Sequence, residues 1–459
     1  MKRAFALLAA LAVVTLGAAL AYQAARDRDY RALLAQGDAA LRDDQTFSAI
    51  EAYSGAVYLR PDSMLAHLRR AETYQRRGNL DAAARDFRSA GALDPTATRP
   101  LDELGDVWYQ LQRYDRAAET YERFFHLDDR SARVSYKLAL ARYRNGQLAA
   151  AQAALQQAIR QNDRLADAYY LLGLCARQLQ RDADAQQALE RAVALAPGLV
   201  PAHEELADLY AALGRHAEEL EQLQVIAGLD RDHIERQVAV GLAHARAGHP
   251  DLAVLTLGNA LGRTSDQPLI YGALGQVWLE IAERDPRRRD ALGKALEALE
   301  RAASTRGVAS EVLTLYGRAL LLDGESDVAE RTLQQAIVRF PVEPAAFLFY
   351  ATAAEREHHF GEARQALVSY GALVSGDAGF GARAAHIASL SLRLDDPAAA
   401  VEWLRRAVLA TPQDVKLLLQ LADAEIRAED RDAARATIAL VLEQDPKNAA
   451  LPALARRAR

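Results

Sequence analysis

The chain has 459 residues, of which 51% are hydrophobic and 26% charged, with only 14 prolines and 7% aromatics. That composition describes a folded, mostly helical protein and excludes a disordered chain. A net charge of -6 gives no basic field for nucleic acid, and a single cysteine excludes an internal disulfide, a zinc knuckle or a cysteine-held cluster.

The N-terminus comes first in the chain and differs from the rest. Lys2 and Arg3 precede an uncharged run from Ala4 to Tyr22, 19 residues with eight alanines and five leucines. Such a run suits an uncleaved transmembrane anchor, since about 20 apolar residues span a bilayer. It also suits a signal peptide, because Ala19-Leu20-Ala21 has the small-x-small form of a cleavage site. With the positive charges before the run and the balanced Arg26-Asp27-Arg28-Asp29 after it, both readings put the body outside the cytoplasm.

Beyond Tyr30 a ladder of small and large residues repeats. Gly37, Ala49, Tyr53, Ala56 and Pro61 recur 34 residues later as Ala71, Ala83, Phe87, Ala90 and Pro95. Gly105, Ala117 and Tyr121 continue it, followed by Gly173, Ala185, Leu189, Ala192 and Pro197. The same register returns at Gly317, Ala329, Leu333, Ala336 and Pro341, then at Ala400, Leu404, Ala407 and Pro412, and at Ala434, Ile438, Val441 and Pro446. Small residues at the eighth and twentieth places let two helices approach closely, and large apolar residues at helical spacing fill the space between them. Gly78, Gly146, Gly214, Gly248 and Gly324 sit where a first helix would end, and the prolines stop the second.

This pattern is similar to the tetratricopeptide repeat, over nearly everything from Tyr30 to Asn448. The resemblance implies an all-α fold, a right-handed α-solenoid of about twelve helix-turn-helix units behind the N-terminal hydrophobic helix. Units begin near Tyr30, Met64, Thr98, Ala132, Ala166, Val200, Ile234, Pro268, Ser310, Pro344, Gly381 and Val415. The fourth and sixth match least well at the small places, so their helices are expected to pack less regularly. The eighth carries an insertion of eight residues around Arg284, Arg287, Arg288 and Arg289, and the tenth has extra residues near Ser375-Gly376-Asp377-Ala378-Gly379. The expected organisation is an anchor or signal segment with a connector over 1–29, repeats over 30–448 and a basic tail over 449–459.

The family's geometry assigns recognition to places 2, 5, 9 and 12 of each first helix, which line a concave groove. Units three to five are richest there in binding residue types: Arg99, Asp102, Asp106 and Tyr109, then Arg133, Tyr136, Leu140 and Tyr143, then Tyr170, Leu174 and Arg177. Tyrosine and arginine dominate binding hot spots, so Arg99, Tyr109, Arg133, Tyr136, Leu140, Tyr143, Tyr170, Leu174 and Arg177 form the candidate partner site. The competing reading is that some of these tyrosines pack between adjacent first helices. None of Asn79, Asn145, Asn162, Asn259 and Asn448 falls on a groove place, which argues against the carboxylate clamp of chaperone-tail binders.

No chemistry-bearing constellation emerges. Cys175 lies among apolar residues and reads as packing, and Glu357-His358-His359 as solvated turn residues without the spacing of a zinc helix. No cofactor and no catalytic role are expected. The expected function is a scaffold at the bacterial inner membrane or in the periplasm that holds partner peptides or helices, attached to membrane through its N-terminal segment alone. A periplasmic carbohydrate-binding module of a polysaccharide export system is the second reading, because stacked tyrosines also suit sugars.

Overall fold

The computed structural model of the chain describes residues 2–230, 233–263, 267–374 and 379–459, with side chains from residue 13 onward. The chain divides into two compact units, Met1–Arg215 and His216–Arg459. Among the described residues every regular element is a helix.

The first unit is a succession of antiparallel helix pairs. Helix α1 (Lys2–Arg42) pairs with α2 (Thr46–Leu59), α3 (Met64–Arg76) with α4 (Leu80–Leu93), and α5 (Arg99–Gln110) with α6 (Tyr114–Phe125). Next come α7 (Ala132–Arg144) with α8 (Leu148–Gln161), α9 (Ala166–Gln178) with α10 (Asp182–Leu195), and α11 (Val200–Ala212).

The second unit opens with α12 (His216–Leu229) and repeats the arrangement. Its pairs are α13 (Ile234–Arg246) with α14 (Pro250–Arg263), α15 (Pro268–Arg284) with α16 (Asp290–Ala303), and α17 (Ser310–Asp323) with α18 (Ser326–Ile337). They continue as α19 (Ala345–Arg356) with α20 (Phe360–Leu373), α21 (Phe380–Arg393) with α22 (Pro397–Ala410), and α23 (Val415–Arg427) with α24 (Arg431–Gln444), before the short α25 (Leu451–Arg457).

The repeated ladder is the seam of each pair. A Cβ on Gly37, Gly105, Gly173, Gly241, Gly275 or Gly317 would run into the side chain of Tyr53, Tyr121, Leu189, Leu257, Leu299 or Leu333 respectively. The glycine is therefore a recess that admits the large residue of the second helix, and these large residues are fully buried. Each such burial contributes roughly 1.5–3 kcal/mol. The fourth unit packs as closely as its neighbours, because Ala139 and Ala151 are small enough to be wholly buried at the eighth and twentieth places. In the sixth register the twentieth place holds Glu219, a carboxylate only 3% exposed, bound by Arg246 and by His216 at 3.0 Å.

Turn chemistry is equally regular. The fifteenth residue of nearly every repeat is left-handed: Gly78, Gly146, Gly214, Gly248 and Gly324, but also Asp44, Gln112, Gln180, His358, Asp395 and Glu429, all with φ between 55° and 95°. The eighth repeat lacks it, since its insertion lengthens α15 to 17 residues and sets the turn at 285–289. There Arg284 pairs with Glu280 and Arg288 with Asp251, while Arg288 and Lys294 lie over the Trp278 ring. The stretch 375–378 lies outside the described residues.

Both ends depart from a simple picture of appendages. Helix α1 runs without a break from Lys2 through the residue 29/30 boundary into the first pair, and Arg26 and Asp27 already grip the end of α2 at Leu59 and Arg60. The apolar run Ala4–Tyr22 lies in its first half, with Val13, Val14, Leu16, Leu20 and Tyr22 exposed, and the side chains of 2–12 lie outside the described residues. Among the described residues no helix is long and apolar enough to cross a membrane. At the other end, 451–457 is a helix rather than a loose tail: Leu451 and Leu454 are buried and Arg457 pairs with Asp423 at 2.6 Å.

Candidate partner-binding face

All nine candidate residues lie in the first unit, on α5, α7 and α9. Residues four or three apart share a helix face, so Tyr136, Leu140 and Tyr143 form one stripe on α7, and Tyr170, Leu174 and Arg177 another on α9. Tyr109, Tyr136, Leu140, Tyr143 and Leu174 are half-buried against the same apolar cluster, which includes Trp108, Leu138 and Leu171. Tyr170 packs instead with the cluster of Leu189, Leu206 and Tyr210. Burial pushes the phenols of Tyr136, Tyr143 and Tyr170 above their ordinary range, so they stay neutral donors at physiological pH. Tyr109 meets Tyr114 with ring centres 5.2 Å apart, and it holds Arg144 through a hydrogen bond that strengthens the guanidinium's hold on its proton.

The three arginines are not free. Arg99 lies 2.5 Å from Glu72 on α3, Arg133 binds Asp102 on α5, and Arg177 binds Glu205 on α11. Lys137 of α7 joins Asp102 at 2.8 Å and also reaches Asp106, whose other oxygen accepts from the Tyr121 hydroxyl at 2.6 Å. Gln178 donates to the Tyr143 hydroxyl at 2.8 Å. Consecutive first helices are thus cross-braced, and the arginines hold the wall together as well as presenting their rims. Glu103, between these acids, makes no such pair among the described residues, and burial together with Asp106 and Asp102 lifts its carboxyl above the usual range.

Glu72, Lys137, Gln178 and Glu205 did not stand out in the sequence. The signal that finds them is opposite or complementary side chains 27 to 35 residues apart, roughly one repeat.

The profile of the family described as "Tetratricopeptide repeat" matches residues 34–98, 68–132 and 136–200, each match set off from the last by one or two periods of the ladder. Residues 34–132 and 136–200 are tetratricopeptide repeats. Among curated tetratricopeptide repeat proteins, "Small glutamine-rich tetratricopeptide repeat-containing protein 2" of Mycosarcoma maydis is 31% identical over 96 residues, 21% of this chain and 27% of that one. "Hsp70-Hsp90 organizing protein 3" of Arabidopsis thaliana is 28% identical over 87 residues, 19% of this chain and 16% of that one. The matched part therefore spans less than a third of either relative. Among solved structures, that of MamA is 27% identical, covers 35% of this chain and 94% of its own, and superposes with a TM-score of 0.34.

Cys175 is fully buried and its thiol is pushed up to about 11. His359 pairs with Glu330 at 2.9 Å beside the turn at His358. Among the described residues no three histidine, cysteine or carboxylate side chains converge as a metal site.

Proposed function

We propose that this chain is a non-enzymatic protein–protein interaction scaffold of the bacterial cell envelope. Its partners are peptides or helices laid across the first-helix face of α5, α7 and α9. One observation carries the reading: Tyr109, Tyr136, Tyr143 and Tyr170 stand half-buried on three successive first helices that ion pairs have already braced. Rigid aromatic surface of this kind loses little entropy on binding. The reading keeps about twelve repeats, of the kind that wind into right-handed superhelices.

The envelope setting rests on the apolar run of α1, whose exposed Val13, Val14, Leu16 and Leu20 have no protein surface over them in this chain. It serves as a single-pass inner-membrane anchor with a periplasmic body, or as a signal segment whose removal leaves that body in the periplasm.

Affinity capture from detergent-solubilised membranes, comparing the wild-type chain with a Tyr136→Ala/Tyr143→Ala/Tyr170→Ala variant, tests the face. Specific loss of partner proteins from a folded variant supports it, and unchanged capture overturns it. Retention on a polysaccharide resin that survives moderate salt and depends on the same tyrosines would favour the carbohydrate-binding reading instead.

A further inference from the structure

On the other side of α9 the first unit holds a feature that the tyrosine face does not use. Helices α8, α9 and α10 enclose a groove of about 880 Å3, within the size range of ligand-binding clefts. Its floor is α9, through Tyr169, Leu172 and Ala176, and α8 and α10 form the walls. At about 100° per residue this floor set is centred roughly 130° around α9 from Tyr170, Leu174 and Arg177. The two surfaces are therefore separate.

The walls carry three arginines, which differ in their engagement from those of the tyrosine face. On the tyrosine side of α9, Arg177 is engaged by Glu205 of α11, and Arg133 of α7 by Asp102. Arg160 of α8, Arg181 just before α10 and Arg191 of α10 line the groove with no carboxylate partner among the described residues; Arg191 lies 5.9 Å from the centre of the Tyr169 ring. Two acids also line the groove, Asp184 and Glu190, but the Glu190 carboxylate already accepts from Tyr210 at 2.8 Å and from Gln186 at 2.7 Å. Gln152, Gln156 and Gln187 add neutral side chains able both to donate to and accept from a peptide backbone.

Three guanidinium groups without carboxylate partners among the described residues, around an apolar floor, suit carboxylates on an apolar spine. We propose that this groove is a second docking surface, which takes an acidic amphipathic segment of a partner protein. The segment's apolar side chains rest on Leu172 and Ala176, and its carboxylates meet Arg160, Arg181 and Arg191, with arginine forks suited to bidentate contact. A nucleic acid is disfavoured by the chain's net charge of -6 and by the apolar floor. Such a surface lets one stretch of repeats hold two partners on opposite sides.

The test uses the full chain and a fluorescein-labelled synthetic peptide of about sixteen residues, built from Glu and Leu at helical spacing, followed by fluorescence anisotropy. The expected result is binding that weakens about tenfold in an Arg160→Glu/Arg181→Glu/Arg191→Glu variant and with added salt, and that is unchanged in the Tyr136→Ala/Tyr143→Ala/Tyr170→Ala variant. The single Arg160→Glu change, on an exposed side chain, gives a smaller loss in the same direction and guards against misfolding of the triple variant. Four outcomes overturn the proposal: binding indifferent to the arginines, equal loss in the tyrosine variant, equal binding of plain polyglutamate, or the same arginine dependence shown by anionic lipid vesicles in place of the peptide.

Discussion

The Tyr121 hydroxyl donates to the Asp106 carboxylate at 2.6 Å, and Tyr53 makes the same contact with Asp38, also at 2.6 Å. In both pairs the tyrosine is fully buried and its ring fills the recess left by a glycine, Gly105 or Gly37, immediately before the aspartate. Aspartate, glycine and tyrosine act as one lock between the helices of a pair, so a methyl group at the glycine must displace the ring and its hydrogen bond. Gly105→Ala is expected to destabilise the chain by about 1–3 kcal/mol. Urea unfolding measures it, and an unshifted midpoint would show that the ring can yield at no cost.

Where glycine is absent from the left-handed turn position, the chain bears strain. Gln112 and Gln180 hold φ of 58° and 57° at the place where Gly78 and Gly146 stand in neighbouring repeats. Gln112→Gly and Gln180→Gly should each stabilise by about 0.5–1 kcal/mol, the relief of the left-handed penalty less the extra freedom of glycine in the unfolded chain. Thermal melts would record this as a rise in midpoint, whereas Gly78→Gln should lower it.

Glu219 gives the second unit an acid-sensitive joint. Burial pushes its carboxyl up, but hydrogen bonds from Arg246 and His216 outweigh that and hold it below the ordinary value of 4.5. A lowered folded-state value means that the stabilisation is complete above the unfolded value and is lost as pH falls through the folded one. Part of the stability lost between about pH 5 and pH 3 should therefore vanish in Glu219→Gln, as read from urea midpoints at each pH. Arg246→Met, which leaves the carboxylate buried with His216 alone, should cost about 2 kcal/mol near neutral pH, less than a fully buried pair because Arg246 is partly exposed.

Cys175 supplies an internal reporter. With its thiol fully buried and pushed up to about 11, thiolate is scarcer than in a free cysteine by about two orders of magnitude at neutral pH. Labelling with a disulfide reagent should proceed only as the first unit opens and at the full rate in denaturant. Fast labelling of the native chain would contradict the burial.

The C-terminal helix protects the last pair. Leu451 packs with Leu418 and Val441 and covers them. Leu451→Ala/Leu454→Ala should cost about 2–4 kcal/mol locally. Hydrogen exchange would detect it as faster exchange confined to α23 and α24, and uniform protection would show that the helix is dispensable.

The ladder was legible because it is set by volume: Gly105, Ala117 and Tyr121 can share one seam only in that order, and the spacing fixes the helices. Charge was harder to read. Arg99, Arg133 and Arg177 share the places expected of a groove, yet nothing within one repeat says that Glu72, Asp102 and Glu205 of adjacent repeats will engage them. The left-handed turns at Gln112 and Glu429 were equally hidden, since glutamine and glutamate carry no preference for that conformation and adopt it because the helix pairs on either side demand it. Arg160, Arg181 and Arg191 come together only once α8 and α10 are seen to flank α9.

Helix α1 continues unbroken for 41 residues, and Arg26 ties it to the end of the next helix at Leu59. The stretch before that tie is about 35 Å long at the rise of an α-helix. It is a stiff mast rather than a tether. A surface that gripped its apolar end would fix both the stand-off and the compass bearing of the first repeats, and turning the mast by one residue, about 100°, would swing the α5, α7 and α9 face to a new direction.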